Sequence, residues 1–165
     1  MFENGEGKFI MSTRLLPSIM STQLDAIMDL LKLYRRVSFD DPCAKSACSL
    51  CHRAHAERIL AFMRRQEPIH FVLPAFPAKS PNKKKVIGDL PDLGERLALG
   101  NLEELCIRIQ GIYSPGARLT ICTDGHVFAD LVGLSDDTVL LYLESLKAMG
   151  IEFPGKYFEP GKPQE

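Results

Sequence analysis

The chain has 165 residues, about 45% of them apolar, which suits one core of ordinary size and is too short for two full domains. Its formal net charge of −1 gives no global basic field for nucleic acid or an anionic membrane, and no apolar run approaches the roughly 18 residues of a transmembrane helix. Five cysteines, three of them between Cys43 and Cys51, fit reduced thiols in a cytoplasmic protein.

Residues 1–21 read as a loose leader. MFENGEGKFIMSTRLLPSIM lacks the basic start and continuous apolar stretch of a secretory signal. Thr22 to Val37 then sets Leu24, Ile27, Met28, Leu31 and Tyr34 on one helical face, with Thr22 and Asp25 as a capping-box variant. A linker rich in Asp, Pro and Cys follows. Leu50 to Gln66 repeats the helical pattern, with Ile59, Phe62 and Met63 as core positions.

Ile69 to Phe76 is short, apolar and ended by Pro74 and Pro77, the pattern of a strand buried on both faces. Pro91 to Tyr113 predicts a long amphipathic helix through Leu93, Leu97, Leu102, Leu105, Cys106, Ile109 and Ile112. After the turn Ser114-Pro115-Gly116, Ala117 to Thr123 predicts a second strand. Ser135 to Met149 predicts a further helix, with Ser135 as N-cap and Asp136 and Asp137 in its first turn. Residues 151–165, rich in Pro and Gly, read as an irregular tail. Strand, helix, strand, helix implies an α/β fold: a parallel sheet layer with two preceding helices, in one domain over residues 22–150.

Ligands of such sheets sit outside the carboxyl ends of the strands. That rule selects the loop after the first strand, AFPAKSPNKKKVIGDLPDLGER, and the stretch after the second, ICTDGHVFAD. The loop lacks the glycines of a Walker A motif. It does supply Lys79, Ser80 and Asn82 as donors for a phosphate or carboxylate beside a helix N-terminus. Pro77 and Pro81 limit where Lys79 can point, whereas Lys83, Lys84 and Lys85 also read as a solvated charge run. Asp92, Glu95 and Arg96 open the long helix; acidic residues there also compensate the dipole. In the second stretch, Asp124 stands at the strand's end, His126 titrates near neutral pH, and Asp130 follows. An Asp-Gly turn and a structural histidine are the plainer alternatives.

CAKSACSLCHRAH is a third candidate. Cys48, Cys51 and His55 share a helix face, and Cys43 or His52 would complete a tetrahedral zinc set. No second pair elsewhere closes such a site, free cysteines are commonly buried, and a redox C-x-x-C would follow a strand. The expectation is therefore no metal, with zinc as the lesser alternative.

HFVLPAFPAKSPNKKKVIGDLPDLGERLAL and IYSPGARLTICTDGHVFADLVGLSDDTV resemble the signature blocks of the isocyanide synthases, the pyoverdine/dityrosine biosynthesis family. The resemblance runs from roughly Leu24 to Met149, and the C-x-x-C-H-x-x-H segment also looks like the family's cysteine-rich region. It implies a Rossmann-like fold and conversion of the amino group of an amino acid, commonly tyrosine or tryptophan, to an isocyanide. The carbon comes from ribulose 5-phosphate, and no redox cofactor is required. On that resemblance Lys79, Ser80 and Asn82, with Arg96, hold the sugar phosphate. Asp124, His126, Asp130 and Glu95 are typed for the proton transfers. Family members continue well past Glu165, so the resemblance implies a truncated domain that self-associates or pairs with a C-terminal half. The alternative is a non-catalytic α/β module that keeps an anion or sugar-phosphate site.

Overall fold

In the computed structural model the described residues are 15–34, 49–123, 129–131, 133–153 and 158–160. The chain divides into two compact units, Met1–Met63 and Arg64–Glu165.

The first unit contains helix α1 (Leu15–Leu33) and most of α2 (Ser49–Arg65). On α1, Leu24, Ile27, Met28 and Leu30 are buried, whereas Tyr34 is exposed. The helix begins at Leu15, inside the expected leader, because proline is tolerated in a first turn and Pro17 does not delay it. Thr22 is consequently no cap: its Oγ1 donates to the Ser18 carbonyl at 3.1 Å, the back-bond of a mid-helix threonine. On α2, Ala56, Ile59 and Met63 are buried as the periodicity predicts, and Phe62 is half-buried.

The second unit is β1 (Ile69–Pro74), α3 (Leu93–Ile112), β2 (Ala117–Cys122), α4 (Asp136–Ile151) and β3 (Phe158–Pro160). The strands form one parallel sheet in the order β1-β2-β3. Ile69 pairs with Ala117, Phe71 with Leu119 and Leu73 with Ile121; Leu119 pairs onward with Phe158. The tail read as irregular thus contributes a third strand, too short and proline-bounded to show a pattern of its own.

Sheet parity explains what is buried. Ile69, Ala117 and Leu119 are buried and Phe71, Leu73 and Ile121 half-buried, on the face where α3 packs against β2 and α4 against α3. His70, Val72, Pro74, Arg118 and Cys122 face outward and are exposed. The expected two-sided burial of β1 is therefore wrong: Val72 is 60% exposed. Its apolar run matches a doubly covered strand, but burial depends on the covering layer, and the described residues of the second unit supply one layer only.

The long helix starts at Leu93, one residue after its N-cap, and its buried stripe is Leu99, Leu105, Cys106 and Ile109. Leu93 and Leu97, expected in the core, are exposed. Tyr113 closes the helix and donates from its hydroxyl to the Glu67 carbonyl at 3.0 Å. This ties the end of α3 to the entry of β1, and Gly116 (φ +75°) makes the turn into β2.

Candidate functional site

The loop after β1 turns inward at once. Ala75 extends the ladder by donating to the Cys122 carbonyl at 3.1 Å, and Phe76 then takes a left-handed conformation, φ +56°. For a bulky side chain that is a strained position, of order 1–3 kcal/mol. Packing holds it: Phe76 and Ala78 lie against a core of Leu99, Tyr142 and Leu146, joined by Ile121, Leu143, Met149 and Phe153.

Seating Phe76 and Ala78 brings Lys79 over the first turn of α3. Its Nζ lies 2.6 Å from Glu95 Oε2 and 3.1 Å from Asp92 Oδ2. The Lys79 and Glu95 side chains are only 13% and 12% exposed. Asp92 is the N-cap: its Oδ1 accepts from Gly94 N at 2.7 Å, and Glu95 Oε2 accepts from Asp92 N at 2.8 Å, completing a capping box. From α4, the buried Tyr142 donates its hydroxyl to Glu95 Oε1 at 3.3 Å. Glu95 is thus the hub of four residues from the loop, α3 and α4.

The electrostatics follow from that geometry. Burial alone would lower the Lys79 pKa, but the hydrogen bonds to Glu95 and Asp92 outweigh it, and the ammonium is held above its ordinary value. The Gly94 N–H and then Lys79 hold the Asp92 carboxyl below the usual carboxylate range. Burial, reinforced by the Glu95 charge, pushes the Tyr142 hydroxyl well above the usual phenol range, so it remains a donor. Lys79 is therefore a fixed cation and not an amine free to attack a carbonyl at neutral pH.

The other expected phosphate ligands serve different partners. Ser80 Oγ accepts from Asn82 N at 3.2 Å, and Asn82 Oδ1 accepts from Lys84 N at 3.0 Å, so both shape the turn. Lys83 pairs with Asp89. Arg96 Nη2 reaches Glu152 at 2.9 and 2.8 Å from its two carboxylate oxygens, with both side chains half-exposed. Arg96 directly follows Glu95 in sequence, yet its guanidinium is engaged by Glu152 at the end of α4.

Asp124 and His126 lie outside the described residues. Asp130 is exposed, and its backbone carbonyl accepts from Gly133 N. Of the two described members of the expected proton-transfer set, Glu95 is placed within the Lys79 cluster and Asp130 is not part of it. Cys43 and Cys48 and the side chain of Cys51 also lie outside the described residues, while His52 is half-buried and His55 exposed on α2. Among the described residues no group of three or more His, Cys, Asp or Glu side chains is placed to hold a metal.

Sequence reasoning left Tyr142 out. A signal was present: Val139, Tyr142 and Leu146 share the helical face that became the core, and a buried tyrosine must find a partner for its hydroxyl.

The profile of the pyoverdine/dityrosine biosynthesis proteins matches residues 59–157. The chain belongs to that family. It is 52% identical over 115 residues to an L-tryptophan isonitrile synthase of Fischerella ambigua, covering 70% of this chain and 35% of the relative. It is 54% identical over 92 residues to an L-tyrosine isonitrile synthase of Pseudomonas aeruginosa, covering 56% and 28%. The crystal structure of the PvcA protein from Pseudomonas aeruginosa superposes with a TM-score of 0.76 at 41% identity, over 84% of this chain and 44% of that one. The chain therefore spans about a third of the curated relatives it matches. The parallel βαβ layer is the part of the family fold that carries the Lys79 cluster, and no described helix is long and apolar enough to cross a membrane.

Proposed function

We propose that this family member takes part in isonitrile formation, converting the amino group of an amino acid such as tyrosine or tryptophan to an isocyanide with carbon from ribulose 5-phosphate. The observation that carries the reading is its 52% and 54% identity, over 115 and 92 residues, to L-tryptophan and L-tyrosine isonitrile synthases. The amine and the sugar ketone condense to an imine with loss of water. Proton transfers along the sugar and cleavage of a carbon–carbon bond follow.

In this proposal the sugar phosphate lies along the loop of Lys79, Ser80 and Asn82, with Arg96 at the start of α3. In this reading the two cations take different parts. Lys79 remains clasped by Glu95 and Asp92, its charge neutralised there, and orders the loop along which the phosphate lies. Arg96, half-exposed and held only by a surface pair with Glu152, is the cation that can be recruited by a phosphate at little cost. Glu95, Asp124, His126 and Asp130 are the groups proposed for proton transfer.

Mass spectrometry of the protein incubated with tyrosine or tryptophan and ribulose 5-phosphate tests the reaction, and an isonitrile carrying the sugar-derived carbon is the expected product. Thermal stabilisation by ribulose 5-phosphate without any isonitrile from either amino acid would favour the binding-module alternative.

A further inference from the structure

We propose that the depression lined by Ile87, Gly88, Leu90 and Leu93 and rimmed by Asp89 and Asp92 receives the side chain of an aromatic L-amino acid. The inference rests on the isonitrile reading and assigns a subsite to its amino-acid substrate. The first reason is position. The depression occupies the second half of the loop after β1 and the first residue of α3, so it opens at the carboxyl edge of the sheet beside the Lys79 cluster.

Its surface is the second reason. Ile87 is fully exposed, Leu93 is 66% exposed and Leu90 is 50% exposed, three branched side chains grouped within seven consecutive positions. Scattered surface aliphatics are ordinary, but a contiguous set beside polar chemistry marks a binding surface. Gly88 keeps the middle of that surface low: nothing lies within 4 Å of where a Cβ would stand. The volume is about 460 Å³, within the range of small-molecule sites and ample for an indole or phenol.

The rim supplies the third reason. Asp92 uses one carboxylate oxygen on Gly94 and the other on Lys79, yet its side chain is nearly half exposed. A carboxylate offers about four acceptor positions, so Asp92 can also accept from an ammonium approaching over the depression. A ring lying on Leu90 and Leu93 would then place its amino group next to the Lys79–Glu95 pair, where the chemistry is proposed. The relatives that are L-tryptophan and L-tyrosine isonitrile synthases agree with an apolar seat of this size.

The chain contains no tryptophan, so bound L-tryptophan can be followed by the anisotropy of its own indole emission. The Leu90→Ser/Leu93→Ser double variant should weaken L-tryptophan binding by about tenfold or more. Its melting temperature and its stabilisation by ribulose 5-phosphate should match the parent, because both side chains already face solvent. Leu97→Ser, an exposed leucine one turn along α3 and outside the depression, should bind L-tryptophan as the parent does, and L-alanine should not compete. Equal L-tryptophan affinity in the double variant and the parent overturns the subsite, as does loss of self-association in the double variant with binding intact. Isonitrile production with an unchanged KM for tryptophan in the double variant overturns the subsite but leaves the reaction standing. Depression-dependent tryptophan binding with no isonitrile from any amino acid supports the subsite and removes the reaction.

Discussion

Lys79 shows how much one side chain's role depends on its neighbours. The two flanking prolines predict a lysine with a restricted direction, and in the structure its ammonium lies against the carboxylates of Glu95 and Asp92. Replacing Lys79 with Met leaves Glu95 largely buried and deprived of its cation, so a loss of about 1–3 kcal/mol is expected in chemical denaturation. The pH dependence of that loss has a defined sign. Lys79 has a raised pKa, so its contribution is complete below the unfolded lysine value of about 10.4 and disappears as pH rises through the folded value. Asp92 has a lowered pKa, so its contribution is complete above the unfolded aspartate value of about 3.9 and disappears as pH falls through the folded value. The stability gap between the parent and Lys79→Met should therefore be flat across neutral pH and shrink at both extremes. A gap that instead peaks near pH 6 to 7 would implicate a histidine. Tyr142 belongs at the same scale. Tyr142→Phe keeps the buried ring and loses only a long hydrogen bond, so it should cost about 0.5–1.5 kcal/mol, against about 3–5 kcal/mol for Tyr142→Ala.

At the scale of elements, the start of α3 couples helix capping to the site. Asp92 caps Gly94, receives Lys79 and shares the capping box with Glu95, so its substitutions separate these tasks. Asp92→Asn retains an acceptor for the cap but loses the charge facing Lys79. Asp92→Ala loses both, and should cost about 0.5–2 kcal/mol from the cap alone. Melting temperatures should fall in the order parent, Asn, Ala; equal values for Asn and Ala would mean the cap contributes nothing. Much of this element order was legible. The short apolar runs bounded by turn residues, the helical spacing of α3 and the cap before α4 place β1, α3, β2 and α4 close to their observed limits, and Ser135 caps α4 by accepting from Thr138 N. Three features were not legible, each for a tertiary reason. Leu93 and Leu97 fit the apolar stripe, but the packed stripe begins at Leu99, where α3 reaches the core of Tyr142 and Leu146. The contact of Tyr142 with Glu95 spans 47 positions and exists only once α3 and α4 are packed together. The left-handed Phe76 has no sequence signature, since nothing in LPAFPAK reserves that conformation for a phenylalanine.

At the scale of the molecule, the described residues of the second unit put helices on one face of the sheet and leave the side chains of the other face exposed. Parallel sheets occur almost only with both faces covered. Here His70, Val72, Pro74, Arg118 and Cys122 form an exposed surface, with His70 Nε2 and Thr120 Oγ1 hydrogen-bonded across it at 2.8 Å. β1 is also an edge strand among the described residues, and an edge beside an exposed face of mixed apolar and polar side chains favours association. We propose a second copy of this chain as the cover when the protein stands alone. Two cysteines of the second unit report on it. Cys122 is exposed on the open face, whereas Cys106 is fully buried in α3 and burial pushes its thiol up to about 11. An alkylating reagent at neutral pH, read site by site by mass spectrometry, should label Cys122 readily and leave Cys106 nearly untouched. Raising the protein concentration should slow labelling at Cys122 as the face becomes covered. Val72→Lys puts a charge at the centre of that face without disturbing the buried side of the sheet. It should restore rapid Cys122 labelling at high concentration, and sedimentation should show the monomer. Labelling of Cys122 that is independent of concentration in the parent would rule out self-cover, and the open face would then be accessible to a different polypeptide.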